Sequence, residues 1–264
     1  MNHKFKLMML LAALFSFASC SKDNDIRPNQ EPEKVLIDEK KTASGLTVTL
    51  WAESKDLTVA WNRLYVSLKT SAGANINNAA VTYTPVMYMM TMEHASPVEQ
   101  PVYNAEQALY DGAVVFSMAS GTMGSWKLNV SVNNEPVIFD IEVKEPPVNI
   151  KQTGTFVGTD GISYSVSLVQ PLTPKTGMND LRILINKRQD MMNFPAVEDL
   201  SVELTPEMPS MGHGSPNNVN PVHIGKGHYG GKVNFTMTGD WRLHFRLKRG
   251  NTVIIEDATL DLLF

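Results

Sequence analysis

Trp126-Lys127-Leu128-Asn129-Val130-Ser131-Val132-Asn133 alternates apolar and polar residues without a break. A strand points successive side chains to opposite faces, so Trp126, Leu128, Val130 and Val132 share a buried face and the polar set a wet one. The pattern recurs on both sides. Phe139, Ile141 and Val143 alternate with Asp140, Glu142 and Lys144, and Tyr164, Val166 and Leu168 with Ser163, Ser165 and Ser167. Trp241, Leu243, Phe245 and Leu247 alternate with Arg242, His244, Arg246 and Lys248. His244 therefore reads as part of a solvated strand edge or partner-facing surface. No helical stripe of this quality follows the N-terminal segment. Many short alternating runs separated by Gly, Pro, Asn and Asp predict an all-β chain built of sandwiches.

The number of sandwiches follows from a repeat. Met89-x-x-Met92-x-His94-x-Ser96-Pro97 returns as Met208-x-x-Met211-x-His213-x-Ser215-Pro216, and Tyr110-x-Gly112-x-x-x-Phe116-x-Met118 as Tyr229-x-Gly231-x-x-x-Phe235-x-Met237. Each copy closes on a Trp-led strand, at Trp126 and Trp241. Glu145-Pro146-Pro147 interrupts the strand pattern between them, because consecutive prolines do not continue a central strand. Two tandem Ig-like β-sandwich domains are expected, over residues 42–146 and 147–264.

The N-terminus reads as an address. Lys4 and Lys6 precede an apolar run from Leu7 to Phe17, followed by Ala18, Ser19 and Cys20. The run has the length of a secretory h-region and is short for a membrane span. Phe17-Ala18-Ser19-Cys20 resembles a bacterial lipoprotein signal, with Phe17 where leucine is usual. The resemblance implies cleavage of residues 1–20 before Cys20 and lipidation of Cys20. A plain secretory signal with a chance cysteine is the competing reading. Ser21 to Asp25 is similar to the acidic segment behind the lipidated cysteine of Bacteroidetes surface lipoproteins. Residues 21–41, polar and carrying Pro28 and Pro32, are expected to form a flexible tether. The expected location is the outer membrane, on its periplasmic face or the cell surface.

Composition narrows the classes further. The chain has 264 residues, 43% hydrophobic, with a formal net charge of −4 and no long Lys/Arg run. Without a basic stripe, nucleic acid is not an expected partner. Cys20 is the only cysteine, which excludes intramolecular disulfides and cysteine-based zinc or iron–sulfur sites. Neither His-Glu-x-x-His nor Gly-x-Ser-x-Gly occurs, and the carboxylates form no readable acid/base pair. No catalytic residues are assigned, and the chain is not expected to be an enzyme.

Met208-Pro209-x-Met211-Gly212-His213-Gly214, Gly227-x-Tyr229-x-Gly231 and Phe235-Thr236-Met237-x-Gly239-Asp240-Trp241 resemble the YtkA-like domain, grouped with FixH-like proteins. The first copy is a degenerate match. It lacks the glycines beside His94 and has Gly124-Ser125-Trp126 in place of Gly239-Asp240-Trp241. The resemblance implies an Ig-like, secreted or membrane-attached, generally non-enzymatic module. It also implies proximity to copper handling and cytochrome oxidase assembly.

The Met-x-x-Met-x-His segments carry the sharpest chemistry. Thioethers are soft and uncharged and suit Cu(I), and a neutral imidazole is a stronger added donor. Pro209 and Gly212 predict a turn that gathers Met208, Met211 and His213, with His223 and His228 available to complete a metal site. Met89, Met92 and His94 form the weaker set in the first copy. The competing reading makes these methionines core filler beneath a loop. Met118 and Met237 are expected in the core, each sharing a strand face with a phenylalanine. The functional expectation is a lipid-anchored envelope binding protein for Cu(I). The alternative is a structural or interaction module that docks an envelope protein partner.

Overall fold

The computed structural model describes residues 33–146 and 150–264. The signal over 1–20, Cys20, residues 21–32 and Pro147 lie outside the described residues.

The first sandwich comprises β1 (Val35–Lys41), β2 (Thr47–Ala52), β3 (Leu57–Thr58), β4 (Trp61–Lys69), β5 (Val81–Tyr88), β6 (Glu93–Ala95), β7 (Val98–Asn104), β8 (Leu109–Val115), β9 (Ser125–Val132), β10 (Glu135–Ile141) and β11 (Val143–Lys144). The second comprises β12 (Thr153–Val157), β13 (Ser163–Gln170), β14 (Gly177–Lys187), β15 (Ser201–Met208), β16 (His213–Gly214), β17 (Val219–Gly225), β18 (His228–Phe235), β19 (Asp240–Arg249) and β20 (Thr252–Leu263). Sheet order is β1-β2-β4-β8-β7 against β10-β9-β5-β6 in one, and β12-β13-β14-β18-β17 against β16-β15-β19-β20 in the other. The two arrangements are the same. The described residues are all-β, as the alternation predicted, in two sandwiches.

One boundary differs from expectation. Val35–Lys41, read as the end of the tether, is an edge strand paired with β2 from Val35↔Ala52 to Lys41↔Thr47. An edge strand presents one side and one face to solvent, and here its charged residues imitate linker composition.

Each sandwich encloses its own core. One contains Leu50, Leu64, Tyr83, Phe116, Trp126 and Phe139. The other contains Tyr164, Ile183, Tyr229, Phe235, Trp241 and Phe245. The alternation follows this partition: along β9 every second residue from Trp126 to Val132 is buried. The same hydrogen-bonding devices lock both units. Asn62 Nδ2 donates to Thr58 O and Ala60 O, and Asn179 Nδ2 to Lys175 O and Gly177 O. Tyr110 Oη accepts from Ala79 N, and Tyr229 Oη from Leu200 N. Gln100 bridges from β7 to Tyr83, and Asn220 from β17 to Leu204. The first copy thus keeps the fastenings of the second although its glycine pattern has decayed.

The sandwiches meet over a small contact. Trp61 packs against the buried Val115, Val169 and Leu184. Glu99 bonds His228 Nε2 at 2.6 Å, and Ala95 N–H donates to Met191 O at 2.8 Å.

Candidate functional site

The site builds up from strand register. In the second sandwich Met208 lies directly opposite His213 on β16. On its other side β15 runs beside β19 in a register that brings Met208 to Trp241. Opposed residues in an antiparallel pair point to the same face, so His213, Met208 and Trp241 form a row across three strands. The first sandwich repeats the row. Met87 is opposite both His94 and Trp126. In each row the imidazole meets the indole edge-on, at 5.5 Å for His94–Trp126 and 6.0 Å for His213–Trp241. Each indole N–H is satisfied by a backbone carbonyl, Met118 O for Trp126 and Met237 O for Trp241.

This register corrects the sequence alignment. Met89 was matched to Met208, but the residue that occupies the Met208 place is Met87. Thr84-Pro85-Val86-Met87 corresponds to Thr205-Pro206-Glu207-Met208, and the two prolines face Leu128 and Leu243 in the same register. The hairpin between methionine and histidine is two residues longer in the first copy, which shifts everything before it against everything after it.

The histidine chemistry is set by the backbone. His94 Nδ1 lies 2.8 Å from Ala95 O, and His213 Nδ1 lies 2.9 Å from Gly214 O. A carbonyl oxygen only accepts, so Nδ1 carries the proton and Nε2 of the neutral ring keeps its lone pair. Metal-binding imidazoles are commonly oriented in this way.

The five ligands expected in the second sandwich do not come together. Met208 is 2% exposed and belongs to the core, its methyl against Gly239. Met211 is 61% exposed at the hairpin tip. The tip is tight: Met208 O accepts from Met211 N and Gly212 N, and Gly212 has a φ of 63°. Asp240 ties it down, accepting from Ser210 N at 3.2 Å and from the Ser210 hydroxyl. That hydroxyl holds the Asp240 carboxyl below the usual carboxylate range. The sequence reading gives Asp240 no role in the site. Its place beside Trp241 in the Gly-Asp-Trp pattern was the available signal.

His223 and His228 are corrected to the opposite end of the sandwich. His228 opens β18, whereas Phe235, which packs on Trp241, closes it. At about 3.4 Å per residue, roughly 24 Å of strand separates them. His223 packs on Tyr229 and lies 4.0 Å from Glu198. His228 bonds Glu99, which also accepts from Trp61 Nε1 at 2.6 Å. Burial pushes the Glu99 carboxyl up, but the His228 and Trp61 donors and the Lys226 charge outweigh it and leave it below the usual range. These two histidines therefore serve the other end of the sandwich and its contact with the first.

In the first sandwich Met92 is exposed and Met89 is half-buried against the core. His244 lies on the half-exposed polar face of its strand, as expected, but not at a sheet edge. Strand β19 is internal to its sheet, and the His244 ring is held between Glu207 and Asp257 at 3.0 and 2.9 Å. Among the described residues no three His, Cys, Asp or Glu side chains gather into a cluster able to hold a metal.

Comparison with known proteins places the second sandwich. Residues 161–246, within that sandwich, match the YtkA-like family model. No curated protein matches the chain. Among solved structures, the chain is similar to the Escherichia coli adhesin FdeC, with 11% identity, a TM-score of 0.27, and 86% of this chain and 66% of that one covered. It is similar to Yersinia pseudotuberculosis InvD, with 13% identity, a TM-score of 0.26, and coverage of 78% and 53%. A conserved domain protein from Bacillus anthracis matches at 12% identity and a TM-score of 0.25, over 86% and 90%. The chain spans about two thirds of the FdeC structure and about half of the InvD structure.

Proposed function

We propose, from the premise of a YtkA-like second sandwich, that this protein is a non-enzymatic binding module of the cell envelope that takes Cu(I) at its Met/His hairpin. In this reading Cys20 carries the lipid anchor. The observation that supports it most is the His–Met–Trp row, in which the Nδ1 proton is occupied by backbone and Nε2 is left as the donor. His213 Nε2 and the exposed Met211 thioether supply the ligands, with Met208 behind them in the row. Imidazole and thioether are neutral and soft, a set that suits a monovalent d¹⁰ ion better than Zn(II) or Mg(II).

The test is Cu(I) competition against a chromogenic chelator, using the soluble chain from Ser21 to Phe264. Tight binding that is lost in Met211→Ala/His213→Ala is expected. Undiminished competition by that variant overturns the hairpin as the site.

A second reading, a docking module for an envelope protein, is supported by β17. This edge strand exposes Val219, Val222 and Ile224, at 52%, 64% and 54%. Exposed apolar side chains along an open edge fit strand addition by a partner. In that case Val222→Lys abolishes capture of the partner and leaves metal binding unchanged.

A further inference from the structure

The His94 end of the first sandwich faces a part of the second that sequence gave no reason to connect with it. Ala95, next to His94, donates its N–H to Met191 O, joining the edge strand β6 to the turn after β14. Beside this link lies a cavity of about 240 Å³ whose lining includes His94, Met118, Met191, Arg188 and Phe194. Met118 was expected in the core but is only partly buried.

Met118 and Met191 are fixed at their backbones, and the His94 ring is fixed through its own Nδ1 and against Trp126. Met118 O accepts the Trp126 indole N–H at 2.9 Å. The Met191 turn is built by Asp190, which accepts from Met192 N, Asn193 N and Asn193 Nδ2 at 2.7, 2.8 and 2.7 Å. His94 Nδ1 is occupied by Ala95 O, leaving Nε2 as the lone-pair nitrogen. Methionine has three rotatable bonds beyond Cα, so two thioethers anchored on the rim of a small cavity can swing onto one ion. Arg188, exposed and 3.3 Å from Ser163 Oγ, places a positive charge in the lining. With three neutral ligands, that charge opposes a divalent ion more than a monovalent one.

We infer that His94, Met118 and Met191 form a second soft-metal site, for a monovalent d¹⁰ ion, shared between the two sandwiches. The inference rests on the soft-metal reading above and extends it to a different set of residues. A bound ion would bridge the units, so metal occupancy and the junction would stabilise each other.

The test is a titration of the soluble chain, labelled with ¹³C-methyl methionine, with Ag(I), a redox-inert probe. The methyl resonances of Met118 and Met191 are expected to move. The volume-conserving pair Met118→Leu/Met191→Leu should lower Ag(I) stoichiometry by about one equivalent with the fold retained. Movement of the Met208 and Met211 methyls alone overturns this inference and leaves the hairpin site standing. Movement of Met118 and Met191 alone supports the shared site and removes the hairpin site. No movement of either pair overturns both. Zn(II) should leave all four methyls in place.

Discussion

At the scale of single residues, the repeated glycine of the Tyr-x-Gly motif has a cause in backbone proximity. A Cβ at Gly231 would stand 2.5 Å from Val219 O, and one at Gly112 would stand 2.7 Å from Glu99 O. Both oxygens belong to edge strands bulged over the glycine. Alanine normally gains about 0.5–1 kcal/mol over glycine inside a strand. Here the sign reverses, because a carbonyl of the main chain has to move. Gly231→Ala should lose about 1–3 kcal/mol in urea unfolding. Asp240 acts differently, since it holds a loop and not a core. Asp240→Ala should leave the urea midpoint nearly unchanged and, if the hairpin takes Cu(I) as proposed, weaken Cu(I) competition, as Met211 loses its anchored turn. Because the Asp240 carboxyl is held below its ordinary range, its grip is present above that range and fades as pH falls through the native value. The glycine and the Gly-Asp-Trp pattern were both legible in sequence. Their reasons were not, because each depends on an atom in another strand.

Among the elements, β4 and β14 begin with the same device. Asn179 is buried, donates twice to Lys175 O and Gly177 O, and accepts from Lys175 N. Removal strands several buried polar groups, so Asn179→Ala should cost about 2–4 kcal/mol. Asn179→Asp keeps the acceptor but turns an oxygen toward two carbonyls. At neutral pH it should be at least as damaging as alanine. Its native carboxyl would be raised above the unfolded value, so the loss relative to wild type should shrink as pH falls. Urea unfolding of both variants at neutral and mildly acid pH checks the order and the sign. The strands themselves were readable wherever one face is buried, as in β9, β10, β13 and β19. Strand β1 escaped because half-exposed Asp, Glu and Lys make it look like a tether. The Met87–Met208 equivalence was concealed by the more conspicuous Met-x-x-Met-x-His match two residues away. A two-residue difference in hairpin length is invisible until register fixes which residues face each other.

For the whole molecule, the balance between two separate cores and one slender junction decides how it behaves. Each core is a closed set of buried aromatic and aliphatic side chains, whereas the junction offers one small apolar cluster, the Glu99–His228 bond and the Ala95–Met191 bond. Leu184 sits on the outer face of its sheet, among Val115, Val169 and Trp61, and not in the core of its own sandwich. Leu184→Glu should therefore loosen the junction while both sandwiches stay folded. X-ray scattering should show a larger radius of gyration, and urea unfolding a loss of about 1–2 kcal/mol. An unchanged radius would mean that the cluster does not hold the units. Glu99 gives the junction a pH limit. Its carboxyl is held below the usual range, so its contribution is in force above the unfolded value near pH 4.3 and disappears as pH falls through the native one. Glu99→Gln should reproduce the loosened scattering profile at neutral pH and remove that part of the acid sensitivity. If metal binds between His94, Met118 and Met191, Ag(I) should restore the compact profile of Glu99→Gln. It should not restore the triple variant that also carries Met118→Leu/Met191→Leu. Compaction that survives loss of both thioethers would place the bridging contact elsewhere.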